Sequence, residues 1–299
     1  MLNKVLTLCG VAMLLLGSGC GQLTATTYMV GLLTSTPDVS DIEGLPSALT
    51  SIVPLESGTS AWATLFDRQG LLDTAAPEPI TGANVFLSWK SESSTTLEET
   101  DNLAKGMYAA TSYEIPGGNT APGLEYASGV NYEFVGQTAS ATYRVSIETP
   151  DTIEASEISY SPSLTDDGYL ETLDTHDGSA LTMTWVGDAA RPIVTVFQIV
   201  YNGGESALDI VEPNNWQPKE EPVYNEPDFA AGPAAMLDFI KSTKDNSVTV
   251  PSSVFSAAGL YCVLLQTVTI GAETDASSNV ALGSLAAAGS GNIACFFVE

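Results

Sequence analysis

The chain has one histidine, His176, in 299 residues. That excludes every zinc site built on paired imidazoles, and no HExxH is present. A Ser-His-Asp constellation would have to recruit His176, which sits in the acidic, turn-like run Asp174-Thr175-His176-Asp177-Gly178. No GxSxG elbow accompanies it, and the histidine is expected on a surface loop. Cations are also scarce: nine Lys and Arg stand against 36 Asp and Glu, a formal charge of −27. So acidic a chain is repelled by phosphate backbones and anionic head groups, which excludes nucleic acid as a partner. No Walker loop and no GxGxxG opening a helix occurs, so nucleotide cofactors lack their cradle. Beyond the first twenty residues no uninterrupted apolar run is long enough for a spanning helix, which needs about 20 residues.

Cysteines number four. Met1 to Lys4 form a short start with one cation. Val5 to Leu16 form an apolar stretch too short for a bilayer core of about 30 Å. Gly17, Ser18 and Gly19 then supply the small residues of a cleavage site before Cys20. The run Leu14-Leu15-Leu16-Gly17-Ser18-Gly19-Cys20 resembles the lipobox of bacterial lipoproteins processed by signal peptidase II. It departs from that pattern in placing its large aliphatic residue at Leu16, with Gly17 one position later. The resemblance implies that Cys20 is acylated and becomes the first mature residue. Gly21, where an aspartate would favour inner-membrane retention, then implies an outer-membrane address. Several acyl chains, at about 0.8 kcal/mol per buried CH₂, make a durable anchor. Removing residues 1–19 removes one lysine and no acid, so the net charge moves to −28.

With Cys9 leaving in the leader and Cys20 carrying lipid, Cys262 and Cys295 are left as a pair in an oxidising compartment. Each shares a strand face with apolar neighbours (Leu264, and Ile293 with Phe297), so a disulfide is expected. It would contribute roughly 3–4 kcal/mol on the chain-entropy model.

The remaining 280 residues suit two domains. Short alternating strands separated by Gly, Pro and Asn clusters argue for an all-β chain of two tandem antiparallel β-sandwiches. The expected organisation is a signal peptide at 1–19, the acylated cysteine and a tether at 20–57, a first sandwich at 58–160, an acidic linker at 161–178 and a second sandwich at 179–299. Part of the tether, Leu45 to Leu55, is expected to dock on the first domain. Strands are read at Ala61–Phe66, Ala83–Trp89, Tyr132–Val135, Tyr143–Glu148, Leu181–Trp185, Ile193–Tyr201, Val248–Pro251, Leu260–Ile270 and Ile293–Val298. A short helix is read at Pro233–Lys241, and a long acidic, proline-rich loop at 205–235.

Asp67 with Gly70, then Pro79-Ile80-Thr81-Gly82-Ala83-Asn84-Val85-Phe86-Leu87, Gly106-Met107-Tyr108 and Gly129-Val130-Asn131-Tyr132 carry a family likeness. Together they resemble carboxypeptidase-regulatory-like and transthyretin-like sandwiches, apart from an insertion at Ile115 to Gly123. Leu181-Thr182-Met183-Thr184-Trp185, with Asn246 to Pro251 and Gly259-Leu260-Tyr261, resembles immunoglobulin-like and fibronectin-type modules. The first resemblance implies an accessory, non-catalytic unit.

Chemistry-bearing candidates are few. Nine carboxylates and no Lys or Arg lie between Glu148 and Asp177. Within them Asp166 and Asp167, with Asp174 and Asp177, form the best metal candidate, since hard cations take six to eight oxygens. Neither run has EF-hand spacing, and acid-plus-glycine turns also serve as hairpin connectors. Calcium is therefore the one cofactor left open. Adjacent acids such as Glu98-Glu99 and Glu220-Glu221 give no glycosidase geometry. Trp216, with Tyr224 nearby, either stacks on a ligand such as a sugar or covers an open end of a sandwich, the covering role being favoured. Trp62, Trp89 and Trp185 lie in strands and are read as core.

The expectation is a non-enzymatic lipoprotein of the bacterial cell envelope with a binding, adhesion or scaffolding role. Its partners would be the membrane through Cys20 and an envelope protein or glycan. The alternatives are an accessory subunit or weak hydrolase using the 205–235 loop, and a calcium-dependent adhesion or carbohydrate-binding module.

Overall fold

The computed structural model describes residues 26–42, 45, 47–55, 57–68, 77–90, 93–100, 105–114, 119–164, 174–203, 213–228, 231, 233–271, 279–281 and 283–298. The leader, Cys20, Gly70, Asp166 and Asp167 lie outside these residues, as do parts of the 115–123 insertion and of the 205–235 loop.

The chain is all-β, and its organising element is a hairpin of two unusually long strands. β17 (Gly259–Gly271) and β18 (Leu285–Val298) pair antiparallel from Gly259↔Val298 to Gly271↔Ala286. Side chains on β18 alternate without a break, as a pleated strand requires. Its even positions feed two cores in succession, Ala286 and Ala288 at one end and Phe296 and Val298 at the other. Its odd positions do the same on the opposite face, with Leu285 and Ala287, then Ile293 and Cys295.

Against the first half of β18 lies β1 (Thr27–Thr36), parallel to it from Val30↔Leu285 to Ser35↔Ser290. The other edge of β1 pairs antiparallel with β2 (Gly58–Asp67) over its whole length. This strand falls in the segment expected to be a tether, so the tether reading fails for residues 27–36. The physical reason is legible afterwards: Tyr28-Met29-Val30-Gly31-Leu32-Leu33 is buried on both faces. Such a strand reads as a continuous apolar run rather than an alternation.

From β2 the sheet continues through β6 (Met107–Thr111), β5 (Ser93–Glu99), β4 (Asn84–Trp89), β8 (Asn131–Gln137) and β9 (Thr142–Glu148). On the far side of β17 it continues through β13 (Arg191–Tyr201) to β14 (Trp216–Pro218). Short strands β3 (Glu78–Pro79), β7 (Asn119–Thr120), β11 (Asp174–His176) and β15 (Tyr224–Glu226) complete a single 15-stranded sheet. A second sheet holds β10 (Ile158–Ser161), β12 (Leu181–Trp185) and β16 (Ser247–Val250).

One hydrogen-bonded sheet therefore runs through both segments expected as separate domains. The boundaries at 58–160 and 179–299 do not divide it, because β18 is shared. The expected linker at 161–178 contributes β11, which extends the sheet beside Phe296–Val298.

The layers are nonetheless of two kinds. At one end β1, β2, β6 and the start of β18 face β4, β5, β8 and β9 around a core containing Tyr132, Phe134, Val145 and Trp89. The side facing these rings sets small residues, Ala61, Ala63, Ala110, Ala286 and Ala288, among the larger Met29, Leu33, Leu65 and Tyr108. Gly31 belongs to that set for a specific reason, since a Cβ there would run into the ring of Phe134. The Tyr108 hydroxyl braces this end, donating to the Ile80 carbonyl at 2.9 Å and accepting from the Ala83 N–H at 3.0 Å.

At the other end β13, β17 and the close of β18 face the three-stranded sheet around Met183, Trp185, Phe255, Tyr261 and Phe296. The outer surface here is covered by residues 39–42, 45 and 47–53, with Val39, Ile42, Leu45, Leu49 and Val53 packed on Ile199, Leu260, Leu264 and Ile293. This includes the short helix α1 (Ser47–Thr50). The segment expected to dock on the first domain thus docks at the opposite end, because β1 delivers the chain there. The helix read at Pro233–Lys241, α2, forms as expected, and its Phe239 joins Tyr28, Val30 and Phe66 in the fourth apolar cluster.

Candidate functional site

Cys262 and Cys295 stand directly opposite one another on β17 and β18 and form a disulfide, with Cα atoms 4.1 Å apart. Both are buried in apolar surroundings. The expected bridge is present, and it occupies the only two cysteines among the described residues.

His176 differs from expectation. Instead of a surface loop it lies on β11, whose parallel pairing with Phe296–Val298 turns the imidazole inward. Its ring centroid sits 5.2 Å from that of Phe255 and 5.1 Å from that of Phe296. Nδ1 accepts from the Gly178 N–H at 3.1 Å, and Nε2 is buried 4.0 Å from Asp177 Oδ1 without a hydrogen-bond partner among the described residues. Burial depresses its pKa below the usual 6.5, with Asp177 opposing weakly. An enclosed neutral imidazole of this kind suits packing rather than proton transfer.

The proposed metal ligands are not brought together within the described residues. Asp177 is exposed, and its Oδ1 accepts from the Ser179 N–H at 2.9 Å. The Ser179 contact holds that carboxyl below its ordinary range. Asp174 is half-buried and lies beside Tyr160, whose hydroxyl burial pushes up to about 12. Asp166 and Asp167 are outside the described residues. Among those described, no group of three His, Cys, Asp or Glu could hold a metal ion.

Trp216 and Tyr224 also part company. Trp216 opposes Tyr201 on one face of β13, is 5% exposed, and packs its ring 5.0 Å from Tyr201 and 6.3 Å from Phe297. Tyr224 opposes Val196, whose side chain belongs to the core on the other face. The covering role fits Trp216, and the two rings cannot form one platform.

The described surface has three notable concavities. One of about 350 Å³ opens where β1 ends, between Ser35, Asp38, Glu154 and Asn292. Ser290 Oγ accepts from the Ile153 N–H and Asn292 Nδ2 donates to the Ile153 carbonyl there, so its polar groups are engaged. A second, of about 310 Å³, is a shallow depression over Trp89 and Leu124.

The third, of about 280 Å³, lies in the cleft between the two sandwich-like ends. Thr267 and Thr269, in the second half of β17, also line it. The connector after β9 supplies Asp151, Ile153 and Glu157, and the turn after β12 supplies Val186 and Asp188. Trp185 contributes a wall. Its residue is 3% exposed, and its indole Nε1 is buried with no acceptor among the described residues. Val186 at the rim is 70% exposed. Sequence reasoning placed Trp185 in the core, which is true of most of the ring. It missed that the indole N–H is left without a hydrogen-bond partner among the described residues. No protein-family model matches the chain, and no curated protein matches it.

Proposed function

We propose that this is a lipid-anchored, non-catalytic protein of the bacterial envelope that presents a binding surface close to the membrane. The observation that carries the reading is the start of β1 at Thr27, hydrogen-bonded on both edges. With Cys20 acylated, residues 21–26 are all the chain that separates lipid from sheet. Six residues reach at most about 20 Å at 3.3–3.6 Å each. The folded body would thus be held against the bilayer, not suspended above it. The net charge of −28 left after residues 1–19 are removed repels anionic head groups, so lipid rather than surface charge must hold it there.

A binding role is supported over a catalytic one by how the reactive groups are spent. The described cysteines are bonded to each other, and the single histidine is enclosed by phenylalanines. The finer fold reading, a carboxypeptidase-regulatory-like unit followed by an immunoglobulin-like unit, is supported by the two distinct layered cores at either end of β17 and β18. The partner would be an envelope protein or a glycan.

Cells fed an alkynyl palmitate analogue test the anchor. The wild-type chain should take up the label and fractionate with membranes, and Cys20→Ala should do neither. Undiminished labelling of Cys20→Ala would overturn the proposal.

A further inference from the structure

We propose that the fold stands on the bilayer by one end, and that its lipid-facing surface is built from the turns around the start of β1. This inference rests on the reading of Cys20 as the acylated residue and names the part of the fold that meets the head groups. Residues 21–26 span at most about 20 Å, which holds Thr27 within that distance of the lipid. Hydrogen bonds tie the neighbouring turns to that point. The Arg68 N–H donates to the Thr26 carbonyl at 2.9 Å, and the Ala281 N–H donates to the Thr27 carbonyl at 2.7 Å. Asn279 Nδ2 in turn donates to the Thr142 carbonyl at 3.2 Å. Thr142 opens β9 just after the β8–β9 turn, within which the Thr138 N–H donates to the Ala141 carbonyl at 2.9 Å. Gln137, on the other side of that turn, stands opposite Asn84 at the start of β4.

Charge distinguishes this end from its opposite. The stretches from Ile80 to Asn84 and from Gln137 to Thr142 carry no ionisable side chain, and neither do Asn279, Val280, Ala281, Gly283 and Ser284. The charges described beside them are of both signs, Asp67, Glu78 and Glu98 with Arg68 and Lys105. Glu99 is spent locally, its carboxylate accepting from the Gly82 N–H at 2.8 Å and the Gly106 N–H at 3.2 Å. At the other end of the same layers the connector after β9 holds Glu148, Asp151, Glu154 and Glu157 with no Lys or Arg among them. An anionic leaflet repels that connector and meets little charge in the turns around Thr27. β18 runs parallel to β1 and continues for eight residues past its last pairing, Ser35↔Ser290, to Val298. At about 3.3 Å per residue that is about 26 Å of further strand leading away from the lipid. The end cross-linked at Cys262–Cys295 is thereby left open to partners.

Full-length acylated protein in vesicles of phosphatidylethanolamine and phosphatidylglycerol, doped with a phosphatidylcholine spin-labelled on its head group, tests the orientation. A bimane fluorophore is attached through Ala139→Cys in the β8–β9 turn, Asn131→Cys at the opposite end of β8, or Ser256→Cys just before β17, all at exposed positions. Thr81→Cys, also exposed at the lipid-facing end, stands in should the Ala139 variant fail to fold. Emission lost to the spin label should be large at residue 139, smaller at 131 and absent at 256. Equal losses at 139 and 256 would mean that the molecule lies on its side, and a loss greatest at 256 that it stands the other way up. Either result overturns the proposal, as does a protein that floats with the vesicles and is quenched nowhere. Failure to float with the vesicles would remove the Cys20 anchor and this orientation with it. Flotation with the wrong order of quenching removes the orientation alone.

Discussion

The two ends of the shared hairpin solve the same packing problem by different means. Where β18 begins, its side chains are alanines, and together with Ala61, Ala63 and Gly31 they let the layers close on large rings from the facing strands. Where β18 ends, large residues meet large residues, Phe296 against Phe255 and Tyr261, and the strands are cross-linked at Cys262–Cys295. One end is held by fit of small against large. The other is held by bulk and a covalent bond. The contrast predicts that the first end resists added volume and the second resists removed volume.

The largest effect should follow Phe296→Ala, which empties a fully buried site and should cost about 3–5 kcal/mol in denaturant titrations. Because the strands are shared, the loss should appear as one cooperative transition moved to lower denaturant. Two separated transitions would break the comparison, by showing that the ends unfold independently. Next comes the double change Cys262→Ser with Cys295→Ser, which should cost about 2–4 kcal/mol, read as a lowered melting temperature.

At the opposite end, Gly31→Ala drives a methyl group into the fully buried Phe134 ring and should cost about 1–3 kcal/mol. Gly123→Ala, where nothing lies within 4 Å, should cost little. Equal effects would erase the argument from close approach.

The smallest effect is a matter of pH. His176 has its folded pKa lowered below 6.5, so the unfolded chain takes up the proton first. Its stabilising contribution is fully present above about pH 6.5 and is lost as the pH falls below that value toward the depressed folded pKa. Melting temperatures measured from pH 7.5 down to pH 5 should therefore fall more steeply for wild type than for His176→Leu. Parallel profiles would show that the imidazole is not held neutral.

Much of this architecture was legible in the residues, and the exceptions share a cause. Strands with one wet face, such as Tyr143–Ile147 and Ala83–Trp89, announced themselves by alternation. β1 did not, because a strand buried on both faces has no polar side to alternate with. The first half of β18, Leu285-Ala286-Ala287-Ala288-Gly289-Ser290, looks like a weak strand former. Its smallness reflects the rings opposite, which local sequence does not display. The bridge followed from cysteine arithmetic. The inward turn of His176 did not, since it depends on β11 pairing with a strand some 120 positions later. The cleft at Trp185 was hidden for a similar reason: its walls come from three separated stretches of chain.

The parallel pairing of β1 with β18 also sets a condition on biogenesis. The Met29 amide donates to Ser284 Oγ across 255 positions, and the strands beside it come from near the beginning and the end of the chain. A polypeptide threaded through a translocon from its amino terminus would deliver β1 first and its β18 neighbour last. Until Leu285–Ser290 are in place, β1 exposes an unpaired edge. A product truncated before Leu285 cannot close that edge of β1.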